Sequence, residues 1–310
     1  MPKLTLFTAP KPFTDDHIAR IQSNAIRSWL HLGSDVEVLL VGDEEGIADF
    51  AAETGVSHLL DIERNELGTP LLNSIFRLAQ ERAKSSILCY VNTDIIFLND
   101  LLQTVPRVSE RFNHFLIVGQ RWDLNVEKLL HISNDWEQTF RRRLERDGQM
   151  HPPTGSDYFI FPKGLFLNLP PFTLGRAGWD NWMIFAGRAD RLSLVDASEV
   201  ITAVHQNHDY SHLPGGQPHY RLPESKENIR LGGGREAVFE LPDANWKITR
   251  VGIRRTRITE VGISRWLEAG LIARAGPGKR ARLIHRTFHP LDTVTYYIRA
   301  AFRRLKRIFS

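Results

Sequence analysis

A chain of 310 residues that is 42% apolar and 25% charged can bury a full core, and its single cysteine, Cys89, excludes an intrachain disulfide framework or a cysteine zinc site. No run of roughly 18 to 20 apolar residues is present and the start of the chain lacks an apolar leader core, so the expectation is a cytoplasmic protein without a transmembrane span. The net charge of +4 is uneven: from Lys247 onward 16 Lys and Arg meet only Glu260, Glu268 and Asp292, giving that part about +13 and the rest about −9.

Leu4 to Thr8 reads as a first strand. Thr14 offers an N-cap, Asp15 and Asp16 suit a helix N-terminus, and Ile18, Ile21, Ala25, Ile26, Trp29 and Leu30 form a helical stripe. Val36 to Val41 is a continuous apolar run, as in a strand covered on both faces. A helix over Glu44 to Thr54 and a weaker strand over Val56 to Leu60 follow. Thr69-Pro70 predicts a helix start with Pro at the first helical position, carrying Leu72, Ile75, Phe76, Ala79 and Ala83 at helical spacing. Ile87 to Phe97 reads as one strand. This alternation predicts a parallel sheet with crossover helices. Beyond Leu101, strands are expected at Phe115 to Gly119 and Tyr158 to Phe161, with an arginine-rich helix over Trp136 to Arg146 between them. Gly232-Gly233-Gly234 and Gly276-Pro277-Gly278 mark loops or linkers.

Four segments hold residues capable of chemistry. In Asn92-Thr93-Asp94 an amide and a carboxylate at spacing two interrupt an apolar run. A carboxylate there must be hydrogen-bonded, paired or metal-bound. The options are oxygen ligation of a divalent cation or the cap of a strand-end turn. In Gly155-Ser156-Asp157 the glycine permits close backbone approach, and Ser156 and Asp157 can bond hydroxyls of a polar ligand or cap a turn. Gly178-Trp179-Asp180-Asn181-Trp182 sets flat apolar surfaces beside a carboxylate, a combination that binds a sugar ring and supplies a base. The same residues also make a helix N-terminus with Asp180 as cap and the tryptophans in the core. His205 to His212 holds three histidines, a source of imidazole nitrogen for a metal, without the spacing of the helical zinc motif.

An alternating βα half ending in N-x-D, followed by G-S-D-Y-F-I-F-P, G-W-D-N-W and V-H-Q-N-H-D-Y-S-H, resembles bacterial glycosyltransferases of the GT-A, nucleotide-diphospho-sugar transferase type, family 2-like. The resemblance spans Leu4 to His212 and extends toward Trp246. It implies an α/β, Rossmann-like fold with a mixed, mainly parallel central sheet flanked by helices, and metal-assisted transfer of a sugar from a nucleotide-diphosphate sugar to a glycan or lipid-linked acceptor. Asn92-Thr93-Asp94 takes the place of the family's D-x-D, so Asp94 would hold Mn²⁺ or Mg²⁺, with Asn standing where the first Asp is usual. His205, with His208 as second choice, falls where a further metal ligand sits. Thr8, Pro10 and Asp43 fall at the nucleoside, Thr69, Asn73, Asn92 and Asp157 at the rest of the donor, and Trp179, Asn181 and Trp182 at the acceptor. Asp180 takes the place of the acidic residue that deprotonates the acceptor hydroxyl in inverting members.

The segmentation is then a GT-A domain over 1–246 and a basic C-terminal extension over 247–310. In the extension Leu291, Val294, Ile298, Phe302, Leu305 and Phe309 lie near one helical face with arginines around them. An amphipathic helix near 291–309 suits an anionic membrane surface, which would make the protein peripheral on the inner face of the membrane, or else docks on the domain. No nucleic-acid motif is present. Two other functions fit the same residues: a catalytically silent GT-A-like protein binding membrane surfaces, and a metal-dependent hydrolase or nucleotidyltransferase. Against the last, Thr8-Ala9-Pro10-Lys11-Pro12 is no Gly-rich phosphate loop.

Overall fold

Each apolar run of the N-terminal half forms a buried strand, and each apolar stripe forms a helix against it. The computed structural model describes residues 2–133, 135–208 and 219–290. The elements are β1 (Leu4–Thr8), α1 (Asp16–His31), β2 (Val36–Val41), α2 (Ile47–Thr54), β3 (Ser57–Leu59), α3 (Leu72–Arg82), β4 (Ile87–Val91), β5 (Ile95–Phe97) and α4 (Asp100–Ser109). Then come β6 (Phe115–Val118), β7 (Trp122–Leu124), α5 (Trp136–Asp147), β8 (Gln149–Met150), β9 (Tyr158–Pro162), α6 (Trp179–Ala189), β10 (Ser193–Asp196) and β11 (Ala203–Gln206). The last described elements are α7 (Pro223–Leu231), β12 (Trp246–Ile248), β13 (Ile253–Arg255), α8 (Ile258–Val261), α9 (Ile263–Ala275) and α10 (Lys279–Phe288).

The fold is α/β, with a mixed, mainly parallel central sheet flanked by helices. Its strand order is β13-β12-β10-β6-β9-β4-β1-β2-β3. β9 runs antiparallel to β4 and β6, and β13 antiparallel to β12; the other neighbours are parallel. Alternation along the strands feeds two cores. Leu4, Leu6, Val38 and Leu40 pack with α1, α2 and α4 on one face, while Phe7, Leu39 and Val41 pack with α3, α6 and α9 on the other. A second sheet, β5-β11-β7-β8, carries a smaller core in which Ile96, Leu124 and Val204 meet Trp136, Phe140 and Leu144 of α5.

Several boundaries differ from expectation. Asp15, not Thr14, caps α1, its carboxylate accepting from the N–H groups of His17 and Ile18. α3 starts at Leu72 because Pro70 is held in a bridge with Arg64 and Leu71 N donates to Glu63 O. The single strand expected over Ile87 to Phe97 is two strands in different sheets. The boundary expected after Trp246 falls inside β12, which extends the main sheet beside β10, and Ala269, Ile272 and Ala281 beyond it join the core. Gly232 to Gly234 turn the chain at the end of α7 rather than linking domains. The amphipathic helix near 291–309 lies outside the described residues. Among those described, no helix is long and apolar enough to cross a membrane.

Candidate active site

β1, β2, β4 and β6 are parallel and β9 opposes them, so Thr8, Asp43, Asn92, Gly119 and Asp157 all lie at one edge of the sheet. The carboxyl edge of an open α/β sheet is where its loops can converge on a ligand. After Val91 the chain leaves the sheet. Asn92 N donates to Asp157 O at 2.9 Å, Ile95 N returns to Asn92 O at 3.1 Å, and β5 departs into the second sheet. Asp94 occupies this break. The hydroxyls of Thr93 and Thr8, 2.7 Å apart, tie the ends of β4 and β1 together.

Asp94 Oδ2 lies 3.1 Å from His208 Nε2 and 3.6 Å from His205 Nε2. Its Oδ1 is buried with no hydrogen-bond partner among the described residues. Burial alone would raise the Asp94 carboxyl, but His205, His208 and Lys11 hold it well below the usual carboxylate range. The donor atoms of Asp94, His205 and His208 lie within 4.8 Å of one another, close enough for one ion. His205 is placed by register, opposite Ile95 of β5 on one side and Asp123 of β7 on the other. Its Nδ1 is 3.3 Å from Asp123 Oδ1 without the alignment of a hydrogen bond.

A chain of polar contacts continues from there. Asp123 accepts from Arg121 Nε at 3.0 Å and lies 2.7 Å from His151 Nδ1. Burial would raise its carboxyl; His205, His151 and Arg121 hold it low instead. Arg121 Nη1 reaches both Asp157 oxygens, at 2.9 and 2.8 Å, and Asn92 Nδ2 donates to Asp157 Oδ1 at 2.8 Å. Tyr90 Oη in turn donates to Asn92 Oδ1 at 3.1 Å. Both ends of the Asn92 amide are therefore used within the protein. The group whose donor atoms could share one ion is Asp94 with the two histidines, and Asn92 stands outside it.

Asp180 stands in the first turn of α6, behind Gly178 at φ 104°. Burial, seconded by the charge of Asp157, raises its carboxyl to about 6, against opposing backbone N–H bonds. Gly155 lies against it: a Cβ at position 155 would fall 2.8 Å from Asp180 Oδ2. Lys11, its own pKa lowered by burial, stands in the fields of Asp94 and Arg176. Arg176 is held by Glu224 at 2.6 Å, and Thr69 and Asn65 donate to the same carboxylate. Thr69 thus supports Arg176 from behind. Pro10 is buried beside Lys11. Asn73 lies in the first turn of α3 with its Oδ1 buried and without a partner among the described residues. Asp43 is exposed and paired with Arg64.

The acceptor residues expected around Asp180 are different in kind. Trp179 is 4% exposed, with its ring against Tyr90 and Phe159 at 5.2 and 5.5 Å. Trp182 packs on Phe172 at 5.1 Å. Asn181 Nδ2 donates to the carbonyls of Thr154 and Phe239. Trp179 is core, Trp182 is half-buried against it and the amide is a tie between loops, so Asp180 is the one ionisable side chain of the segment. Asp180 also does not cap α6; Gly178 does.

Sequence reasoning missed Arg121, Asp123 and His151, and took Lys11 only as evidence against a phosphate loop. The available signal was Arg121-Trp122-Asp123, two charges at strand spacing after an apolar run. A second cluster of the same composition, Glu268 with His285 and His289, lies between α9 and α10. There Arg265 already holds Glu268 at 3.1 Å, and Asp243 holds Arg265 at 2.6 Å. The Glu268 charge is answered locally, and the cluster ties α10 to the domain.

No protein-family model matches the chain, and no curated protein matches it. Among solved structures, the chain is similar to glucosyl-3-phosphoglycerate synthase from Mycobacterium tuberculosis in complex with Mn²⁺, uridine diphosphate and glucosyl-3-phosphoglycerate, at 14% identity over 74% of this chain and 78% of that one, TM-score 0.44. It is also similar to S. aureus TarS 1-349 in complex with UDP-GlcNAc, at 12% identity over 74% of this chain and 65% of that one, TM-score 0.47. A second match, to TarS 1-349 alone, is 9% identical with a TM-score of 0.34 and spans 48% of that chain, about half its length. These overlaps are partial, and the functional reading rests on the residues of the chain itself.

Proposed function

We propose that the chain is a GT-A-type glycosyltransferase that moves a sugar from a nucleotide-diphosphate donor to a hydroxyl of a glycan or lipid-linked acceptor. The observation that carries this reading is the convergence of Asp94, His205 and His208 around Asp94 Oδ1, which has no partner among the described residues, at the sheet edge that also holds Asp180. One carboxylate and two imidazoles fit Mn²⁺ better than Mg²⁺, which prefers an all-oxygen shell. Charge points the same way. With Arg176 balanced by Glu224, Lys11 and Arg121 offset two of the carboxylates Asp94, Asp123, Asp157 and Asp180, and a dication would offset the other two. Bound there, the ion would stabilise the negative charge of the departing diphosphate.

The chain's own residues divide the remaining work. Lys11 and Arg176, whose charges Asp94 and Glu224 answer within the protein, offer N–H donors toward the diphosphate. Asp43 stands on the nucleoside side at the β2 end, Thr8 and Pro10 support the β1 end from within the fold, and Asn73 lies toward the phosphates. Arg121 and Asn92 orient Asp157 toward the donor sugar. Asp180 takes the proton of the acceptor hydroxyl as its oxygen bonds to the anomeric carbon and the bond to the diphosphate breaks. A carboxyl raised to about 6 is ionised at neutral pH yet basic enough to accept that proton.

The test is a panel of UDP-, GDP-, CMP- and dTDP-sugars, each with Mn²⁺ or with EDTA, followed for binding and for slow donor hydrolysis. One donor class should bind with Mn²⁺ and weaken with EDTA. Absence of binding by every nucleotide sugar would overturn the reading.

A further inference from the structure

α9 packs one face inward and carries a second, apolar face that the described residues leave exposed. At 3.6 residues per turn, Glu268, Ala269, Ile272 and Ala273 point inward and are buried. Ile263, Trp266, Leu267 and Leu271 fall at i, i+3, i+4 and i+8 on the other side, where they are 69%, 44%, 43% and 41% exposed. A lone exposed leucine means little, but a stripe at helical spacing marks a surface made for contact.

The segments on either side of this stripe are basic. Arg274 continues it at the end of α9, Arg255 and Arg257 precede α8, and Lys279 and Arg280 open α10, all exposed. Acidic groups do not balance them. Arg254 engages Glu260 at 2.7 Å, and Glu268 faces inward to Arg265.

We propose that the exposed face of α9 is a docking surface for an anionic lipid bilayer, lying in the membrane plane with Trp266 among the headgroups. Such a surface answers both properties of the face. Ile263, Leu267 and Leu271 enter the boundary of the acyl region, while the flanking arginines and lysines meet lipid phosphates. A second copy of the chain would answer only the first, because it would bring two strongly basic segments face to face. The proposal uses other residues than the transfer site and does not depend on that chemistry.

The experiment is flotation of the full-length, tag-free chain with vesicles of phosphatidylcholine alone, or of phosphatidylcholine and phosphatidylglycerol in about equal parts. The chain should float with the anionic vesicles, and less so at high salt. The double substitution Leu267→Glu and Leu271→Glu should weaken partitioning by about tenfold or more. Both positions face water, so its circular dichroism and unfolding midpoint should match those of the unaltered chain. The milder pair Leu267→Ser and Leu271→Ser serves if the glutamates perturb folding. Unchanged flotation of a folded double variant would overturn the proposal, as would failure of the unaltered chain to bind anionic vesicles at low salt. Light scattering that finds a dimer made monomeric by these substitutions would overturn it in favour of a second copy.

Discussion

Replacing Asp180 by Asn should abolish transfer and strengthen the fold at alkaline pH, two opposite effects of one cause. Burial and the nearby Asp157 raise this carboxyl from 3.8 to about 6, so the folded protein disfavours the charged form that the proposed transfer needs. A carboxyl raised on folding contributes stability that is complete below its ordinary value of 3.8 and is lost as pH climbs through about 6. The gap corresponds to a ceiling of about 3 kcal/mol at pH 8. Asp180 keeps some solvent contact, so a gain of about 1–2 kcal/mol is expected once water's share is taken off. Asn has the same shape and keeps an oxygen for the backbone N–H groups of the α6 turn. Urea unfolding of both chains should show the Asn variant ahead at about pH 8 and level with the unaltered chain at about pH 4. Transfer should fall by about 10²- to 10⁴-fold. In the unaltered enzyme the rate should climb about tenfold per pH unit below 6 and flatten above it. An Asn variant that transfers sugar within about tenfold of the unaltered rate, or one less stable at alkaline pH, would refute the assignment.

Asp94→Asn should erase the gain in nucleoside diphosphate affinity that Mn²⁺ confers, by more than the roughly 10- to 100-fold that losing an outer-shell partner costs; calorimetry with and without Mn²⁺ measures it. Gly155→Ala puts a methyl 2.8 Å from Asp180 Oδ2 and should cut turnover about 10- to 100-fold through misplacement of the base, with donor KM and unfolding midpoint nearly unchanged in steady-state and thermal assays. Arg121→Ala strands Asp157 and Asp123, whose side chains are 15% and 26% exposed, and should cost about 3 kcal/mol in urea unfolding, the lower end for a broken buried pair. Trp179→Ala should cost about 3–5 kcal/mol as a core truncation without a selective rise in acceptor KM.

Which features could be read in the sequence follows from the range of the forces behind them. β1, β2 and β9 are apolar runs whose burial on both faces is local information, and the stripe of α1 announces its packing side. The second sheet was illegible because β5 and β7 are three residues long and β8 two, too short to carry a period. Their pairing is what breaks the run after Val91 and sets His205 beside Asp94 and Asp123. The tryptophans flanking Asp180 were ambiguous for a related reason: a helix N-terminus and a sugar platform use the same letters, and only the partners Tyr90 and Phe172 decide between them.

Asn92 shows how a residue that looks like a defect can follow from its neighbours. As an amide it accepts from Tyr90 Oη and donates to Asp157 Oδ1 at 2.8 Å. An aspartate there would set two carboxylates at that distance in a partly buried turn, where one of them would have to take up a proton. With Asp157 already supplied, an amide fits at 92, and the nitrogen atoms that could join Asp94 on an ion come from β11, as His205, and from the residues just after it, as His208. Under the proposed function, the amide at 92 therefore leaves donor atoms around Asp94, supplied by the two histidines. An ion held there would meet imidazole in place of a second carboxylate, which lowers the negative charge around it and would favour Mn²⁺ over Mg²⁺.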